Sequence, residues 1–297
     1  ASQSINPSDS KLPHKAVVLV PGFFSSIVPF FQKQNSFIVS PYWSDTIISV
    51  FQQAGYTVFV VNNLNPIGSI EENGFRLMTF MSGVEKYYAQ KKITAQYYFV
   101  GHSAGGLYSL YALSQYTRLN SPLAHAIKKI ISVSTPFGGA SVLDDLYARL
   151  SFVGDFIKWV SLSSLKELSR AKVENFLSKV RVPADLQYYS FASYQAASRD
   201  WSDAHYLSWP FYISGMFIQS ISDGLISYES SLSSRDHVIT IGNGRLPIQT
   251  FPQEFINLDH GKQVLDFRAF KVLGVKNVEV IRDEQIRFYN RITQIIK

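Results

Sequence analysis

Short runs of β-branched and aromatic residues alternate with helically spaced stretches through the first half of this chain, and that alternation restricts its fold most. KAVVLV (15–20), TVFVV (57–61), YYFV (97–100) and KIISVS (129–134) read as strands. Between them, DTIISVFQQA (45–54), a long stretch over about 69–91 and AGGLYSLYALSQY (104–116) carry helical spacing. Strands separated by helices join one sheet as parallel neighbours, with the helices covering both faces. The pattern predicts an α/β fold with a mostly parallel central sheet, its functional residues at the carboxyl ends of the strands.

The pattern changes after Pro136-Phe137-Gly138-Gly139. From about 141 to 182, Leu143, Leu146, Leu150, Phe156, Trp159, Leu165, Leu168, Val173, Phe176 and Val180 recur near helical spacing with no strand between them. We expect an inserted helical lid or cap subdomain at 141–182, within a single domain spanning 1–297. Strand character returns at LQYYSFAS (186–193) and HVITIG (237–242), and the chain ends in the helical DEQIRFYNRITQIIK.

Composition removes several classes of function. Hydrophobic residues make up 46% of the chain and charged ones 17%, which argues for a large core and against disorder. The 28 basic and 22 acidic residues leave +6, scattered without a basic tract, zinc-finger spacing or recognition-helix context, so no nucleic-acid partner is expected. Cysteine is absent, which excludes disulfides and thiolate catalysis. No apolar run approaches the roughly 18 to 20 residues of a transmembrane segment, so a soluble chain is expected. The polar start ASQSINPSDS has no initiating Met, as after removal of an export signal, and the expected location is secreted or periplasmic.

VGHSAGG (100–106) joins a predicted strand to a predicted helix. The pattern G-x-S-x-G arises by chance in roughly one chain in ten of this size, so its setting carries the weight. A strand running directly into a helix through this sequence is what a nucleophile elbow requires: the turn strains the serine backbone and lifts its hydroxyl above the sheet. Ser103 is therefore the candidate nucleophile, against the plainer reading of a polar residue in a glycine-rich loop.

A serine hydroxyl is hardly ionised at neutral pH and needs a base. The elbow order along the chain is serine, acid, histidine, which leaves His237 and His260. His237 begins a predicted strand, whereas His260 lies in a polar turn and is preferred. The acid should follow a late strand. Asp223 in QSISDGLISYESS leads slightly on turn context over Asp200, Asp203, Asp236 and Asp259, each of which also reads as a turn residue or helix cap. The N–H of Ala104, beside the nucleophile, and that of Phe23, after Pro21-Gly22, are the candidate oxyanion donors.

At these residues the chain resembles the α/β-hydrolase superfamily, and within it the secreted bacterial triacylglycerol lipases of the Pseudomonas and Burkholderia type. VVLVPGF resembles that family's strand and oxyanion loop, GHSAGG its lipase box, STPFGGAS its post-strand segment, SDGLIS the segment of its catalytic aspartate, and YYSFAS and LDHGKQV its late elements. The similarity runs from about 15 to 290, weakly across the insertion, and selects Asp223 as the acid. It implies an oxyanion-loop His-Gly, where this chain has Pro21-Gly22, so the backbone donor remains and the histidine side-chain bond is lost. It also implies a structural calcium held by two aspartates, one soon after the catalytic histidine. Gly261 and Lys262 follow His260 here and the next acid is Asp266, leaving only Asp200, Asp203 or Asp259 as loop ligands. We therefore expect no cofactor and no calcium.

The expected activity is hydrolysis of acylglycerols or other lipid esters through an acyl-enzyme. The apolar insertion, with Phe23, Phe24, Phe30, Phe31 and Trp209, would line an acyl pocket and form a lid that opens during transient binding to lipid interfaces. Phospholipase or acyltransferase activity, or non-catalytic lipid binding on a hydrolase scaffold, are the alternatives.

Overall fold

The computed structural model describes residues 13–22, 42–140, 167–192, 223, 226–231, 238–251, 258, 260–266 and 278–297. Its first half follows the alternation: β1 (His14–Val20), α1 (Asp45–Gln53), β2 (Thr57–Val60), α2 (Ile70–Gln90), β3 (Ala95–His102), α3 (Gly105–Arg118), α4 (Leu123–Ala126) and β4 (Ile127–Val133). After these come α5 (Arg170–Leu177), β5 (Gln187–Phe191), α6 (Tyr228–Ser231), β6 (Val238–Ile241), β7 (Gly244–Pro247), β8 (Gln249–Phe251) and α7 (Val278–Ile296). Among the described residues, six strands form one sheet in the order β2-β1-β3-β4-β5-β8, and every neighbouring pair is parallel.

The unbroken apolar run of β1 follows from burial on both faces. Successive side chains point to opposite sides of a strand, so Ala16, Val18 and Val20 enter one core while Val17 and Leu19 enter the other. The first core is closed by Leu77 and Met81 of α2 and by Leu107, Leu110 and Leu113 of α3. The second is closed by Ile47 and Phe51 of α1 and by Phe288, Tyr289 and Ile292 of α7. Each of these buried side chains stabilises the fold by roughly 1.5–3 kcal/mol relative to exposure, which makes a slipped strand very costly.

Polar contacts set where the helices start and stop. Ser44 caps α1, its Oγ accepting from Ile47 N–H at 3.3 Å and donating to Gln285 Oε1 of α7 at 3.1 Å. Ser69 caps α2 by accepting from Glu72 N–H at 3.0 Å. Lys129 Nζ and Lys15 Nζ reach the carbonyls of Ile295 and Lys297 at 2.7 and 3.3 Å, placing cations at the negative end of α7.

The second half departs from expectation at its late strands and its last helix. The predicted strand at 237–242 is β6, which pairs antiparallel with β7 in a separate hairpin, while the sixth strand of the main sheet is the unforeseen β8. The last helix starts at Val278, five residues before the predicted segment, because the β-branched VEVI run that opens it carries no helical signature of its own. Of the expected lid at 141–182, only 167–182 is described; it holds α5 and no strand, and 141–166 lies outside the described residues. No helix of the described residues is long and apolar enough to cross a membrane.

Candidate active site

Strand β3 ends at His102 and α3 begins at Gly105, so the chain reverses direction through Ser103. Ser103 has φ 54°, in the left-handed region that costs an L residue about 1–3 kcal/mol. Neighbouring strands hold it there. Its N–H donates to Val133 O at 2.8 Å, and its carbonyl accepts from Thr135 Oγ1 at 2.8 Å and from Gly106 N–H at 3.2 Å. The next strand ends in the same way: Ser134 has φ 50° and donates to Phe191 O at 2.8 Å.

Two glycines admit the tight approach. A Cβ on Gly105 would lie 2.3 Å from Val20 O, so α3 can start against β1 only without a side chain there. A Cβ on Gly22 would lie 2.5 Å from Ser103 Cβ and 3.1 Å from Ala104 N. The loop leaving β1 therefore passes directly over Ser103 and beside the Ala104 amide. Close approach, rather than a positive φ, is what requires glycine at position 22.

Asp223 and His260 come together across the chain. His260 Nδ1 lies 2.7 Å from Asp223 Oδ2. A carboxylate can only accept, so Nδ1 carries the proton and Nε2 keeps its lone pair. The backbone fixes the pair as well: His260 N–H donates to Asp223 O at 3.0 Å, and Asp223 Oδ1 accepts from Ile226 N–H at 2.8 Å. Asp223 is 1% and His260 9% exposed, which strengthens their interaction over the same pair in water.

The His260 ring lies against that of His102, the residue preceding Ser103, with ring centroids 4.5 Å apart. Burial, and then the neighbouring His260, hold the His102 pKa well below the ordinary histidine value, so this ring is neutral. Its Nδ1 meets Tyr42 Oη at 2.5 Å. The segment 260–266 is clamped by α7 and α1: Gln285 Nε2 donates to the Lys262 and Leu265 carbonyls at 2.8 Å, Tyr289 Oη donates to Gln263 O at 3.0 Å, and Ser44 N–H donates to Val264 O at 2.9 Å.

The described residues thus set Asp223 against His260, and His260 against His102, the residue before Ser103 and Ala104 at the carboxyl end of β3. Phe23, Phe24, Phe30, Phe31 and Trp209 lie outside the described residues, as do His237 and the rival acids Asp200, Asp203, Asp236 and Asp259. Among the described residues no three His, Cys, Asp or Glu side chains gather as metal ligands. Three contributors escaped the sequence: Thr135, Tyr42 and Gln263. Thr135 stands in the noted STPFGGAS segment, whereas Tyr42 and Gln263 enter through tertiary contacts that no local motif signals.

Several solved structures share this architecture. Lipase 1 from Pelosinus fermentans is 13% identical, with 95% of this chain and 99% of that one covered and a TM-score of 0.58. A Bacillus licheniformis lipase in its mature form is 17% identical, covering 88% and 89% of the two chains at 0.56. A metagenomic carboxyl esterase is 22% identical, covering 95% and 76% at 0.60. At these identities the likeness is one of fold. No curated protein matches the chain by sequence. A family model described as alpha/beta hydrolase fold matches residues 15–172, more than half of the 297. The chain, with its parallel sheet and a strained serine between strand and helix, belongs to the α/β-hydrolase fold family.

Proposed function

We propose that the protein is a serine ester hydrolase of the lipase and carboxylesterase class, cleaving acylglycerols or other lipid esters through an acyl-enzyme. The observation that supports this reading is the buried His260–Asp223 pair packed against His102, the residue before a serine held at positive φ. Ser103 is the nucleophile. His260, oriented by Asp223 through Nδ1, takes the Ser103 hydroxyl proton on Nε2 as Oγ bonds to the ester carbonyl carbon. The N–H groups of Ala104 and Phe23 hold the resulting oxyanion. Collapse breaks the bond to the alkoxy oxygen, which leaves with the proton from His260. Water then repeats the sequence on the acyl-enzyme and frees the acid.

The choice of lipid esters rests on the motif resemblance to secreted bacterial triacylglycerol lipases and on the apolar sequence at helical spacing over about 141–182, with Phe24, Phe30 and Trp209. Transient adsorption to lipid interfaces belongs to the same reading. The test is hydrolysis of p-nitrophenyl esters from acetate to palmitate by wild type, Ser103→Ala and His260→Ala, with emulsified triacylglycerol as competitor. Activity that favours long chains and disappears in both variants supports the proposal. An inactive wild type, or a Ser103→Ala variant as active as wild type, overturns it.

A further inference from the structure

Two hydrogen-bonded runs, Gly22–Tyr42–His102 and Gln263–Asp223, lie between the loop over Ser103 and the acid. Gly22 N–H donates to Tyr42 Oη at 3.0 Å, Tyr42 Oη meets His102 Nδ1 at 2.5 Å, and Gln263 Nε2 donates to Asp223 Oδ2 at 3.1 Å. A backbone N–H can only donate and a carboxylate can only accept, and one set of directions then gives the buried Tyr42 hydrogen an acceptor. Tyr42 accepts from Gly22, so its single hydrogen points to His102 Nδ1. His102 is then protonated on Nε2. Gln263 turns its amide nitrogen to Asp223, which leaves Oε1 as an acceptor.

The remaining two atoms are His102 Nε2, a donor, and Gln263 Oε1, an acceptor. Both are buried and neither has a hydrogen-bond partner among the described residues. The Gln263 side chain stands close enough to the His102 ring to act on it, short of a hydrogen bond. Buried polar atoms are rarely left open, and here an open donor and an open acceptor belong to adjoining members of one chain.

Resting on the hydrolase reading above, we propose that Gln263 is a positioning residue for Asp223 and His260, and that the chain Gly22–Tyr42–His102–Gln263–Asp223 locks the oxyanion loop and the acid into one register. Gln263 shares Oδ2 with His260, while Ile226 N–H holds Oδ1, so neither carboxylate oxygen can rotate away from the imidazole. Neutral His102 transmits this position toward Gly22 without adding a positive charge beside His260 when that ring becomes cationic. His102 Nε2 and Gln263 Oε1, open among the described residues, are the donor and acceptor whose pairing would complete this chain.

The test uses Gln263→Leu, Tyr42→Phe and the double variant on a soluble p-nitrophenyl ester, with wild type and Ser103→Ala as references. In Gln263→Leu, kcat should fall about tenfold or more while KM stays within about twofold, as for a group whose hydrogen bond to a charged partner matters in the transition state. The double variant should be about as slow as the slower single variant, because both break one chain. Gln263→Leu with wild-type kcat, or losses that multiply in the double variant, would overturn the proposal. An inactive wild type would sink the hydrolase reading instead. The proposal then stands or falls on the low-field 1H resonance of the His260 Nδ1 proton, which Gln263→Leu must shift and which, unmoved, refutes it. Should Gln263→Leu fail to fold, Gln263→Met takes its place; should both fail, Tyr42→Phe must shift that resonance from the far end.

Discussion

Replacing Gly22 by alanine probes the site's tightest contact. The new Cβ would lie 2.5 Å from Ser103 Cβ and 2.6 Å from His102 O, whereas ordinary contact begins at 3.4 Å, so the loop or the serine must retreat by about 0.9 Å. Neither obstacle can swing away: one is the first side-chain atom of a residue held on both backbone sides, the other a backbone carbonyl in β3. A displacement near 1 Å at a reacting group costs on the order of a hundredfold in rate. Overpacking of this kind destabilises by about 1–3 kcal/mol, which a fold of this size survives. The expected result is thus a folded Gly22→Ala protein with kcat on a soluble p-nitrophenyl ester about a hundredfold lower. Circular dichroism and a urea titration separate this from unfolding. A folded variant within about threefold of wild-type kcat would show that the loop does not touch Ser103 in the working protein, and would refute the geometry.

Three further outcomes follow from burial and charge. His102 binds a proton in the unfolded chain near the ordinary value of 6.5 but only well below it when folded, so stability is whole above that pH and falls as pH drops through the window beneath it. The loss is at most about 1.4 kcal/mol per pH unit, and His102→Asn should flatten the fall in urea midpoint between about pH 7 and 5; an unchanged slope counts against it. Phe288, 3% exposed and packed 5.4 Å from the Phe191 ring, should cost about 3–5 kcal/mol as Phe288→Ala in the same titration. Gly83 is exposed in α2 and a Cβ there would meet nothing within 4 Å, so Gly83→Ala should stabilise by about 1 kcal/mol and leave esterase rates unchanged.

What the sequence makes legible is what it encodes locally. The strands β1, β3 and β4 carry largely β-branched or aromatic runs because both their faces are buried, and Ser103 sits in a local strand-to-helix motif, although its glycines Gly105 and Gly106 answer to Val20 and Thr135. Chain order narrows the base to His237 or His260 and the polar turn favours His260, while Asp223 stands barely above its rivals without the family resemblance. β8 is three residues long, too short for any periodic pattern to mark it. Tyr42 and Gln263 are invisible for another reason: their partners lie 60 and 40 residues away in sequence, and nothing near either residue names them.

The two halves of the site hang from opposite faces of the sheet. Ser103 is set by β1, β4 and the α3 side, through Val133 O, Thr135 and the close pass of Gly22. The segment 260–266 has no regular structure and is held instead by Ser44, Gln285 and Tyr289 from α1 and α7, across the other core. The halves meet where the His102 and His260 rings pack together. Their register is therefore inherited from a sheet that cannot slide without exposing both cores, and the hydrogen bonds at the carboxyl ends need only set the last fraction of an ångström. The sheet therefore supplies the stiffness, and the buried polar atoms His102 Nε2 and Gln263 Oε1 lie where the two halves meet.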